Sequence, residues 1–164
     1  MPEGGTFMIF YETGSILNAK SEAIVNPINC MGGLENGPML LLKQAYPENF
    51  IAFRRACRLR KVKLGRMLVI PLSPREGRGS DPRYIINFPV KKHWRHHPKM
   101  NHIREGLKDL ARTCAQFRLH SVAIPALGCE PGGPEWKEVQ EGIMDTFRNA
   151  NPIRIHLFPP PDVQ

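Results

Sequence analysis

Short apolar runs recur along the chain at residues 7–11, 23–26, 67–71, 84–88, 121–125 and 154–158, and several are apolar throughout and end at Asn or Pro. A run without polar alternation marks a strand buried on both faces, which requires helices on either side of its sheet. The intervening stretches supply them. Ile103, Leu107, Leu110, Ala111, Cys114 and Phe117 fall on one stripe at helical spacing and predict a helix over 99–117. A second helix is predicted from 134–136 onward, turning Val139, Ile143, Met144 and Phe147 inward. A third follows Pro47 with Phe50, Ile51, Phe53, Arg54 and Cys57, and a shorter one covers 39–45. Proline in the first turn is an ordinary helix start. Strand and helix in alternation predict an α/β sandwich whose binding loops lie at the carboxyl ends of the strands.

With 164 residues, no internal repeat and no linker-like tract, one domain over 1–164 is expected. Charge is more informative where it clusters than as the net +8. Residues 49–75 hold eight Lys/Arg and no acid, and residues 82–104 hold six and no acid. Such asymmetry implies an anionic partner: nucleic acid, phosphate or membrane surface. No apolar run exceeds five residues, which excludes a bilayer-spanning helix, and the start of the chain lacks the basic and apolar regions of a signal peptide. Cys30, Cys57, Cys114 and Cys129 show no CxxC spacing, so reduced thiols in a cytoplasmic protein are the economical reading.

Three loops follow apolar strands: residues 26–37, 88–97 and 125–134. The first and third are rich in glycine and each feeds a helix, whose N-terminus offers unpaired N–H donors. Together they suggest a clamp for a diphosphate, although each alone reads first as a tight turn. Neither fits G-x-x-x-x-G-K-[ST] or G-x-G-x-x-G, so a P-loop NTPase or an ordinary dinucleotide-binding fold is disfavoured. His93, His96 and His97 lack a cysteine pair, and adjacent His96 and His97 turn poorly toward one ion, so no metal is expected. Cys57 and Cys114 fall on apolar helical faces as core residues, whereas Cys30 and Cys129 lie in the proposed binding loops. Lys91 comes directly after a buried-type strand, where desolvation would suit a nucleophile or an electrostatic catalyst; the plainer reading is contact with phosphate or solvent. Trp94, among basic residues, either stacks on a base or caps the core.

At these loops the sequence resembles the macro domain family, and within it the branch of DarG-type DNA ADP-ribosyl glycohydrolases and the related terminal ADP-ribose protein glycohydrolase. The resemblance is carried by residues 13–17 (TGSIL), 23–29 (AIVNPIN), 43–50 (KQAYPENF), 83–95 (RYIINFPVKKHWR) and 124–129 (IPALGC), with Gly132, Gly133 and Trp136. It implies a three-layer α/β/α sandwich with a mixed central sheet, ADP-ribose held in a cleft at the strand ends, and no cofactor. Carried over residue by residue, Gly14, Ser15 and Ile16 would lie at the adenine. Asn29 would position the distal ribose and Lys91 would be catalytic. Asn26, Cys30 and Gly37 would contribute from the first loop, and Pro125, Ala126, Leu127, Gly128, Cys129, Gly132 and Gly133 would wrap the diphosphate and distal ribose. Lys92, His93, Trp94 and Arg95 would meet nucleic acid, the expected carrier of the ADP-ribose.

The implied chemistry is cleavage at the anomeric carbon of the distal ribose through an oxocarbenium-like state, with Lys91 either attacking that carbon or assisting the leaving group. The alternatives are a non-catalytic ADP-ribose-binding module, a hydrolase acting on ADP-ribosylated protein or O-acetyl-ADP-ribose, and a plain nucleic-acid-binding domain. Ser15 stands where many macro domains have Asp. Residues 34–37 (LENG) stand where the branch has Met-Gly-x-Gly, placing Glu35 where it would crowd the ribose or repel phosphate, and Pro38 replaces a small aliphatic residue. Gly132 occupies the position of the aspartate in the protein-directed relative, so that relative's lysine-plus-aspartate arrangement is not expected.

Overall fold

The computed structural model describes residues 7–34, 37–74 and 82–163. Six strands, β1 (Met8–Tyr11), β2 (Ala23–Asn29), β3 (Leu68–Pro71), β4 (Tyr84–Lys91), β5 (Ser121–Ile124) and β6 (Arg154–Leu157), form one sheet in the order β1-β6-β5-β2-β4-β3. All neighbours are parallel except β3, which runs antiparallel to β4 at the edge. The helices α1 (Pro38–Ala45), α2 (Pro47–Arg58), α3 (Met100–Gln116) and α4 (Trp136–Arg148) cover it on both faces, giving the expected three layers.

Alternation along the strands builds both cores. Val25, Ile86, Phe88, Val122 and Ile124 pack toward α3 and α4 with Ile103, Leu107, Val139 and Phe147. Ile24, Ile85 and Ala123 pack against Leu42 and Tyr46, and Ile28 packs against Met39, Phe53 and Ala56. Each fully buried Ile or Phe stabilises the fold by about 1.5–3 kcal/mol relative to an exposed one. α3 approaches β4 so closely that a β-carbon on Gly106 would overlap the Phe88 ring.

β2 and β4 continue three residues beyond the runs at 23–26 and 84–88, through Pro27 and Pro89. A proline normally ends an interior strand because it has no N–H to donate. Here β2 pairs with β5 only at Ala23 and Ile24, and β3 pairs with β4 only through Asn87, so each proline sits where one flank carries no ladder. The extension brings both strands to the site.

Candidate functional site

The pairing of β2 with β4 shifts register between Ile28 and Asn29, and this irregularity sets Asn29 directly opposite Lys91. Both are buried, Asn29 fully and Lys91 with 2% exposure, so the plainer reading of Lys91 as a solvated contact fails. A buried ammonium demands a counter-charge. Glu130 supplies it: Lys91 Nζ donates to Glu130 Oε1 at 3.0 Å and Oε2 at 2.9 Å. A carboxylate thus reaches Lys91 from Glu130 rather than from the position of Gly132.

Glu130 opens a tight turn in which Gly133 N–H donates to Glu130 O at 2.9 Å, Pro131 takes the second position and Gly132 the third with φ +87°. Pro-Gly at the centre with positive φ at the third residue is type II chemistry. A β-carbon on Gly133 would collide with the Gly128 carbonyl oxygen, and Gly132 lies against the His97 ring. These two glycines shape the loop that presents Glu130, and neither is part of the cleft wall.

The cleft itself measures about 730 Å³, and its lining joins Gly14, Ser15 and Ile16 to Gly37, Pro125, Ala126, Gly128 and Cys129 across the sheet. That volume suits a nucleotide-sized ligand. Sequence reasoning missed Glu130 and the segment 158–161 (FPPP), which walls the cleft beside residues 14–16. The proline run directly after the last strand was the available signal. The first and third loops face each other as expected, but only α1 presents its N-terminal residues, Pro38 and Met39, to the cleft.

Other predicted contacts lie elsewhere. Leu127 is a fully buried core residue. Asn26 Nδ2 donates to Asn87 Oδ1 at 3.0 Å, within a buried amide cluster that joins β2, β4 and α2 through Asn49 and reaches Leu68 O on β3. Cys30 packs against the α2 cluster. Asn29 organises its own loop: its Oδ1 accepts from Met31 N at 2.9 Å and Gly33 N at 3.2 Å, and its Nδ2 donates to Gly33 O at 3.0 Å. Ser15 Oγ accepts from Leu17 N at 3.2 Å, capping the single helical turn Ile16–Asn18. Glu35 lies outside the described residues.

Burial pushes the thiols of both loops up. Cys129 reaches about 11 through desolvation, with the Asp162 charge adding to it. Cys30 is raised by desolvation against an opposing pull from Lys92. Neither thiol has the depressed value of an activated nucleophile. Among the described residues no three His, Cys, Asp or Glu side chains converge as metal ligands, and no helix is long and apolar enough to cross a membrane.

Past Lys91 the chain turns outward, exposing Lys92 and Arg95. Trp94 is 49% exposed, which rules out the core cap, and the Arg95 guanidinium lies over its ring at 4.6 Å. Trp94 flanks the first loop at Gly33, while the Arg54 side chain of α2 flanks the same loop at Gly32. The two acid-free stretches thus meet on either side of the loop that Asn29 holds.

A parallel-dominated three-layer sheet with its cleft at the strand ends defines the fold, and the Macro domain family pattern matches residues 25–143. The chain belongs to the macro domain family. It is 39% identical over 153 residues, 93% of its length, to the DNA ADP-ribosyl glycohydrolase of Mycobacterium tuberculosis, and spans 42% of that relative. The macrodomain of Thermus aquaticus DarG superposes with a TM-score of 0.85 at 37% identity, covering 94% of this chain and all of that one. A structure of Thermosipho africanus DarTG in complex with ADP-ribose shares the fold, with a TM-score of 0.84 at 22% identity over 97% of this chain and 44% of that one.

Proposed function

We propose that this chain is an ADP-ribosyl glycohydrolase that binds ADP-ribose in the 730 Å³ cleft and releases it from a modified nucleic acid, DNA bases above all. The observation that carries this reading is the register pairing of Asn29 with the buried Lys91 beside the cleft. It is supported by the likeness to proteins named DNA ADP-ribosyl glycohydrolase and to a structure titled as an ADP-ribose complex. Gly14, Ser15 and Ile16 would take the adenine end, and Ala126, Gly128 and Cys129 the diphosphate. Asn29 orders the first loop beside the distal ribose, and Lys91 acts at its anomeric carbon. Lys92, His93, Trp94 and Arg95 would hold the nucleic acid carrying the adduct, with a basic rim favouring a polyanion.

A second reading, an ADP-ribose-binding module without turnover, is favoured by the hydrogen bonds that engage Asn29 with its own loop. One panel separates the two. Purified protein is offered ADP-ribosylated oligonucleotide, ADP-ribosylated protein and O-acetyl-ADP-ribose, and binding of free ADP-ribose is followed by calorimetry. Release from the oligonucleotide ahead of the other substrates is expected. Tight binding with no release from any of them would leave the binding module.

A further inference from the structure

We propose that Glu130 is a positioning residue that holds Lys91 as an ammonium, so that Lys91 acts as proton donor to the departing base and not as an attacking amine. The inference rests on the glycohydrolase reading and names the working form of its lysine. An amine attacks through a lone pair, and that pair is absent while the nitrogen is fully protonated. Two features of the fold oppose deprotonation.

Lys91 has 2% exposure at the end of β4, and since burial alone would favour the neutral amine, its charge depends on the protein groups around it. Both Glu130 oxygens accept from Nζ, at 2.9 and 3.0 Å, and a carboxylate at that distance favours the charged form of an amine. The carboxylate is held in place, because it stands at the head of the turn closed by the Gly133 to Glu130 hydrogen bond and packed against Gly128. Glu130 is itself a cleft-lining residue with 39% side-chain exposure, so the buried Lys91 adjoins the cleft through its partner.

The glycosidic bond at the anomeric carbon breaks, and its electron pair goes to the departing base. Lys91 transfers a proton to that base. Water bonds to the anomeric carbon and gives a proton to the Lys91–Glu130 pair, which returns to its starting charge. In this sequence Glu130 does not touch the ribose; it acts through Lys91.

The experiment compares wild type, Glu130→Gln and Glu130→Asp on an ADP-ribosylated oligonucleotide, with and without sodium cyanoborohydride to trap a lysine adduct. Glu130→Gln is expected to lower kcat about tenfold or more with KM little changed, because charge support is lost while shape is kept. Glu130→Asp, which restores the carboxylate, is expected to recover part of kcat. Wild type is expected to give no reduced ADP-ribose adduct at Lys91 by mass spectrometry. An adduct in wild type, or Glu130→Gln at least as active as wild type, overturns the proposal and leaves the glycohydrolase reading intact. A wild type that binds ADP-ribose and releases none overturns that reading and this proposal with it.

Discussion

The two stretches without acidic residues look alike in sequence and do unlike work. In 49–75, every described lysine and arginine is exposed, on α2 and the turns after it. In 82–104, the strand β4 carries one cation, Lys91, into the interior and releases its neighbours Lys92 and Arg95 to the surface. An exposed cation interacts through water and ions, contributes little alone and adds to others. A buried one is tied to specific partners in a low-dielectric setting, where losing a partner matters more than any sum. The difference teaches that charge in such a chain divides by burial, into a floor that depends on each of its parts and a rim whose parts add.

The sharpest break in that comparison is Lys91→Ala. It is expected to slow release of ADP-ribose by about 10²–10⁴-fold, the range for loss of a proton-transferring group, while calorimetry shows free ADP-ribose still bound. Release at an undiminished rate would move Lys91 from the floor's chemistry to its architecture. Next in size is Asn87→Leu. Its amide joins Asn26, Asn49 and Leu68 O, so the substitution strands buried polar atoms on three elements. A cost of about 3 kcal/mol, or a melting temperature lower by about 6–12 °C, is expected. A shift no larger than that of a typical surface substitution would show that the floor is not held as a unit.

The layered fold was legible because it is written locally, in apolar runs and helical stripes. The further reach of β2 and β4 was not, because whether Pro27 and Pro89 end a strand depends on what flanks them, and that is set by strand order. Lys91 was visible as a cation directly after a buried-type run, and Asn29 only through the family resemblance. Their pairing depends on a register shift between strands about sixty residues apart, which no local pattern carries. Glu130 was hidden for the same reason: its turn is readable from Pro131, Gly132 and Gly133, but not the lysine toward which the turn points. Asn26 was named through the resemblance as an ADP-ribose contact, whereas its amide joins the buried cluster around Asn87.

On the rim, replacing Arg54, Arg55 and Arg58 together by Ala tests additivity. Affinity for an oligonucleotide should fall, and the slope of log affinity against log salt should flatten by about 0.7–0.9 for each phosphate contact removed. The single substitutions should sum to the triple. An unchanged slope would detach α2 from nucleic acid binding and leave its cations as a solvated face.

The smallest effect is expected from Trp94→Ala, and its form matters more than its size. Trp94 offers one exposed ring face in a rim otherwise made of charge, with Arg95 stacked on it and Gly33 beside it. Base stacking on an aromatic ring is worth about 1–3 kcal/mol and releases no counterion. The substitution should therefore weaken oligonucleotide binding by a similar factor at every salt concentration, shifting the salt line without tilting it. Trp94→Phe, which keeps a π-face, should restore most of the affinity. A tilted line in Trp94→Ala would mean that the ring serves mainly to orient Arg95 toward phosphate, which would place Trp94 with the additive charges of α2 rather than in a class of its own.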